Sequence, residues 1–189
     1  MTGATPTRAP TPRFRRDDWL ELGFRELVAR GKPGLTLERL CEAAGRTRGS
    51  FYHHFADHET FVRALLERWV ERQTDAVIAL VETRDGERLS SLHELAGALD
   101  HGLDIAIRRF AATEPLAADT VSAVDRERLD FLERLYREDH GLPPARARRL
   151  AEIEYALFVG MQTLWPDRKP EEIVSYKALL GALVDADGV

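Results

Sequence analysis

Thr36, Arg46, Thr47, Arg48, Gly49, Ser50, Tyr52 and His53 lie in one short stretch of the chain. Their side chains suit contact with duplex DNA. Arg48 is long and forked, and an arginine fork matches the O6 and N7 edge of guanine in the major groove; Ser50 is an adaptable second reader of a base edge. Thr36, Thr47, Tyr52 and His53 suit phosphate oxygens, which fix register without reporting sequence, and Arg46 adds another such contact. Gly49, with no side chain, lets the backbone come close.

Other chemistries fit less well. His53, His54 and His58 cluster in sequence, but the pair His54 and His58 lacks the Glu that a zinc-protease motif places directly after its first His, and Asp57 reads as a helix cap between them. No metal or other cofactor is expected. There is no Gly-rich phosphate loop, nucleophile elbow or pair of catalytic carboxylates, so the chain is not expected to be an enzyme. Cys41 is the one cysteine, which excludes an intrachain disulfide and reads as a buried structural thiol.

The elements that would position these residues are two short helices and a tight turn. Thr36 can cap a first helix whose apolar residues Leu37, Leu40, Cys41 and Ala44 share a face. Gly45 ends it, because a left-handed residue there lets the next helix leave at a steep angle. Thr47 caps that second helix, and Phe51 and Phe55 anchor it. An earlier helix over 17–30, with Trp19, Leu20, Leu22, Gly23, Phe24, Leu27 and Val28 on its apolar face, completes a helix-turn-helix in which one helix braces and the other enters the groove.

The run Leu37-x-x-Leu40-Cys41-x-x-Ala44-Gly45-x-Thr47-x-Gly49-x-Phe51-Tyr52-x-His54-Phe55-x-Asp57-x-Glu59 resembles the DNA-binding segment of the TetR family of bacterial transcriptional regulators. It departs from that pattern at Cys41, where the family usually has Ala, and at His58, where it usually has Lys.

Charge is distributed unevenly. The chain of 189 residues carries a net −5, yet residues 1–55 hold +4 and residues 56–189 hold −9. A basic reader on an acidic body lets only one end approach a polyanion. No apolar run approaches the ~20 residues of a membrane-spanning helix, and the N-terminus lacks the apolar core of a signal peptide; no membrane association and a cytoplasmic location are expected.

The spacing predicts an all-α chain of about nine helices. Residues 1–12, rich in Pro and Thr, are expected to be a disordered tail, 13–56 the helix-turn-helix domain, and 57–189 a helical effector-binding and dimerisation domain. A long helix over 58–82, about 37 Å at 1.5 Å per residue, is expected to be the only link between the last two. Further helices are predicted near 90–99, 101–112, 115–140, 144–164 and 170–184, punctuated by Pro115, Pro144 and Pro170, since Pro suits a first helical turn and breaks an interior.

By the resemblance, the chain is a homodimer that binds a near-palindromic operator and is most often a repressor. The last two helices of each subunit form the dimer, which places Ile153, Leu157, Gly160, Met161, Leu164, Ile173 and Leu180 at the interface. A small-molecule effector, apolar or aromatic in character, is expected in the body, with Trp69, His101, Ile105, Phe110, Phe131, Tyr155 and Phe158 around it. Two alternatives stay open: a DNA-binding factor with no effector, and a helical interaction module that has lost DNA binding.

Overall fold

The computed structural model describes residues 14–84 and 86–166, and all of their regular structure is helical. The order is α1 (Arg16–Arg30), a 3-10 turn (Lys32–Leu35), α2 (Leu37–Ala44), α3 (Arg48–Tyr52), α4 (His58–Val70), a π turn (Glu71–Asp75), α5 (Ala76–Glu82), α6 (Arg88–Gly97), α7 (His101–Ala111), α8 (Pro115–His140) and α9 (Pro144–Leu164). Both the fold class and the helix boundaries over 115–140 and 144–164 match the spacing argument. The predicted tail 1–12 and the predicted helix 170–184 lie outside the described residues.

Caps set the reader's geometry. The Asp18 carboxylate accepts the Arg15 amide at 2.7 Å, Thr36 Oγ1 accepts from the Arg39 amide, Thr47 Oγ1 from the Ser50 amide, and Asp57 Oδ1 from the Thr60 amide at 2.7 Å. Each satisfies one donor that a helix start leaves without a partner. Gly45 is left-handed at φ 61°, the conformation that turns the chain from α2 into α3. Trp19, Leu20, Leu27, Leu40, Phe51 and Phe61 then close over one another. Val28, expected on the apolar face of α1, is instead 49% exposed: Leu27 already fills the inward position, and the next residue lies about 100° further round the helix.

The expected uninterrupted helix over 58–82 is broken by the π turn. Phe61, Leu65, Trp69, Gln73, Val77 and Val81 are all buried and recur every four residues. Four residues exceed one α turn by about 40°, so a straight α-helix would carry this row steadily off its face. The widened turn takes back part of the drift and brings the polar Gln73 and Thr74 inside. Arg128 of α8 supports them, its Nη2 donating to the Gln73 carbonyl at 3.1 Å and its Nε to Thr74 Oγ1 at 3.0 Å.

The link between reader and body is also broader than expected. One core runs from Trp19 and Phe51 through Phe61 and Trp69 to Leu103, Ile107, Phe110 and Val124, so α1 packs on α7 as well as on α4. Lys32 Nζ adds bonds to the Thr113 carbonyl and to Glu114 at 2.9 and 3.2 Å. The long helix is therefore not the only mechanical connection. A second cluster of Val77, Val81, Phe131 and Leu135 lies further along the body.

Candidate DNA interface and body cavity

The residues singled out for DNA contact come together around α3, with differing freedom. Arg48 is exposed and its Nη2 lies 2.5 Å from Glu38 Oε1 of α2. Both side chains stand in solvent, where such a pair is worth little and yields readily to a phosphate or base. Tyr52 is half exposed, and Gly49 and His53 lie on the surface beside it. Among the described residues a Cβ added at Gly49 would meet only Thr47 Oγ1, at 3.7 Å, so none of them requires glycine there. Ser50 is partly buried.

Of the others, Arg46 is turned toward the protein, while Thr36 and Thr47 are exposed helix caps. Arg46 is partly buried with its guanidinium 5.6 Å from the Phe14 ring centroid, which directs it inward and not to the outer surface of the turn. Thr36 spends its hydroxyl on the Pro33 carbonyl as well as on capping. Thr47 accepts from the Ser50 amide and keeps its hydroxyl proton for an outside acceptor. The other two histidines brace the reader through backbone carbonyls: His54 Nε2 bonds to Phe14 O and His58 Nε2 to Leu35 O at 2.6 Å.

Burial pushes the Cys41 thiol above its ordinary value, which favours the unreactive protonated form.

In the body, α4's continuation, α6, α7, α8 and α9 enclose a cavity. The space open to the centre of a water molecule is about 70 Å³; one water needs roughly 10–15 Å³ on that measure, so several waters or one small ring can enter. Val77, Ile78, Leu92, Phe131 and Phe158 form the apolar wall, and Gln73, Thr74, His101, Asp104, Arg128, Glu154, Tyr155 and Gln162 supply polar groups. Of the seven residues expected around an effector, His101, Phe131, Tyr155 and Phe158 line this cavity. Trp69 and Phe110 are sealed in the core between reader and body, and Ile105, also buried, is absent from the cavity wall.

Beyond His101 and Tyr155, no local motif in the sequence marks the polar lining. Asp104 is 2% exposed and Glu154 is 4% exposed, burial that carboxylates tolerate only with partners. Asp104 accepts from Arg108 Nε at 3.0 Å and Arg128 Nη1 at 3.3 Å. Glu154 accepts from Tyr136 Oη at 2.5 Å and meets His93 Nε2 at 2.6 Å. Burial, with Glu154 beside it, raises the Tyr136 phenol above its ordinary range, and burial pushes Tyr155 up to about 12. Burial opposes ionisation of Asp125 too, but bonds from Arg108 and Tyr155 outweigh it and hold that carboxyl below its ordinary value. The only sequence trace is placement: Glu154, Phe158 and Gln162 stand four apart on one face of α9.

Of the expected dimer residues, Ile153 and Leu164 are more than half exposed, and Leu157 and Gly160 are partly so on the same side of α9. Met161 is 2% exposed and points into the subunit, one residue round the helix from Gly160; its place is the core. Ile173 and Leu180 lie outside the described residues.

Residues 20–65 match the model of bacterial regulatory proteins of the tetR family. The transcriptional repressor AcnR of Corynebacterium glutamicum is 36% identical over 77 residues, 40% of this chain and 41% of that protein's length. The repressor NemR of Escherichia coli is 27% identical over 160 residues, 77% of this chain and 80% of the relative. The crystal structure of reduced NemR superposes with a TM-score of 0.70 at 22% identity, covering 87% of this chain and 95% of that one. A transcriptional regulator from Pseudomonas aeruginosa superposes at 0.72 with 19% identity, over 93% and 92%. In its fold the chain is like these regulators, and over residues 20–65 its sequence matches the tetR family.

Proposed function

We propose that this chain is a homodimeric transcriptional repressor that leaves a near-palindromic operator when a small molecule enters the body cavity. The reader, Arg48, Tyr52, His53, Thr47, Gly49 and Ser50 around α3, supplies the DNA contacts, and relatives such as AcnR and NemR are named repressors. The observation that carries the effector reading is the shared wall. Gln73 and Thr74, at the π turn that continues α4, line the cavity, while α4 itself packs against α1 of the reader through Phe61, Leu65 and Gly23. An effector-free factor gains nothing from a cavity against that helix.

The mechanism is a two-state one. A ligand that binds better when the π turn has shifted draws α4 with it and changes the separation of the two recognition helices in a dimer. It shifts the balance only by its difference in affinity for the two states. Operator must then weaken ligand binding by the same factor by which ligand weakens operator.

Selection of random duplex DNA by the purified full chain tests the reading. The expected product is a near-palindrome with half-site centres one helical turn apart, or a multiple of it, bound with a steep inverse dependence on salt. Enrichment of no sequence, or specific binding indifferent to salt, would overturn it.

A further inference from the structure

Among the described residues, the cavity wall holds one buried acceptor without a donor, Gln162 Oε1. Arg128 donates from each of its three nitrogens to groups of the chain: to Thr74, Asp104 and the Gln73 carbonyl. The Tyr155 hydroxyl donates to Asp125, and the Tyr136 hydroxyl to Glu154. At the His101 end the tautomer can be read from its partners. His101 Nε2 lies 3.2 Å from the Gly97 carbonyl, which can only accept, so Nε2 carries the proton. Nδ1 therefore accepts, and Gln162 Nε2 donates to it at 2.5 Å. That arrangement fixes the Gln162 amide and leaves Oε1 buried with no hydrogen-bond partner among the described residues. A buried acceptor without a donor is costly and is the rarer state in folded proteins.

We infer that the cavity takes a small, largely apolar ligand bearing one neutral or cationic hydrogen-bond donor, a hydroxyl or an amine, which pairs Gln162 Oε1 while the remainder packs against Phe131 and Phe158. The inference rests on the cavity being the effector site. An acceptor-only ligand leaves Gln162 Oε1 without a donor and competes with Thr74, Asp104 and the Gln73 carbonyl for Arg128, and a carboxylate or phosphate would in addition meet the buried Asp104 and Glu154.

Calorimetric titration of the full chain with four one-ring probes tests this: benzyl alcohol and benzylamine as donors, benzonitrile as an acceptor only, toluene as neither. The two donors are expected to bind about tenfold more tightly than toluene or benzonitrile, the ratio that one net hydrogen bond supplies. In the double variant His101→Phe/Gln162→Leu, which removes the oxygen and the ring nitrogen that could replace it, the four should converge. In Gln162→Glu, benzylamine should gain on benzyl alcohol. Equal binding of toluene and the donors by the wild-type chain, a preference for benzonitrile, or no binding by any probe would each overturn the inference, whether or not the variants fold. Release of selected operator DNA is measured in parallel. Donor probes that bind without releasing DNA would uphold the ligand class and sink the regulatory reading; release by toluene as readily as by benzyl alcohol would do the reverse.

Discussion

Arg48 is held by Glu38 at the surface before any DNA arrives. The pair sets a small toll on binding, since Glu38 must give up its partner and then stand near a polyanion. Arg48→Ala is expected to weaken operator binding by about 1–3 kcal/mol and to flatten preference at one base pair, whereas Tyr52→Phe weakens operator and random DNA alike. Glu38→Gln, which frees the guanidinium and removes a negative charge, should strengthen both. Competition titrations against selected and random duplexes check all three, and an equal loss on both duplexes for Arg48→Ala would remove it from base reading. The exposure of Arg48, Gly49, Tyr52 and His53 around α3 could be read from residue type and position alone. Arg46 could not: its inward turn depends on Phe14, which lies well back along the chain and is brought alongside only when α1 folds onto the reader.

At the scale of elements, the caps at Thr36, Thr47 and Asp57 and the left-handed Gly45 were legible because each acts within four residues of itself. The π turn was legible in principle from the four-residue recurrence of buried positions from Phe61 to Val81, but Gln73 and Thr74 hide it, since polar residues in an otherwise apolar row read as an exposed face. The close approach of α1 to α4 was not legible at all. A Cβ at Gly23 would lie 2.7 Å from Phe61 Cζ and 3.0 Å from Leu65 Cδ1, and Phe61 and Leu65 are both fully buried with no room to withdraw. Gly23→Ala should therefore force α1 away from α4 and cost about 1–3 kcal/mol, as overpacking of a closed core does, partly offset by the better helix propensity of Ala. Denaturant unfolding reads the loss; an unchanged midpoint would show that the two helices part without strain.

For the whole molecule, the proposed dimer gives the acidic body the task of setting where two basic readers stand. On the proposed reading, one subunit offers a single strong base-reading side chain, Arg48, so a monomer would hold little sequence preference, and the half-site spacing of a dimer would supply the rest. Ile153, Leu157, Gly160 and Leu164 form a stripe along α9 at i, i+4, i+7 and i+11, with the first and last more than half exposed. Among the described residues a Cβ at Gly160 would meet nothing within 4 Å, so glycine there leaves room for a helix to come close. The double variant Ile153→Glu/Leu157→Glu touches neither α3 nor the core and should leave the helical content intact. It is expected to sediment as a monomer and to lose most of its preference for the selected palindrome over random DNA. Residual binding should be non-specific, with a shallower dependence on salt because roughly half the phosphate contacts remain. A variant that stays dimeric would move the interface elsewhere on the chain, and a monomer that keeps full preference would mean that each subunit reads its half-site unaided.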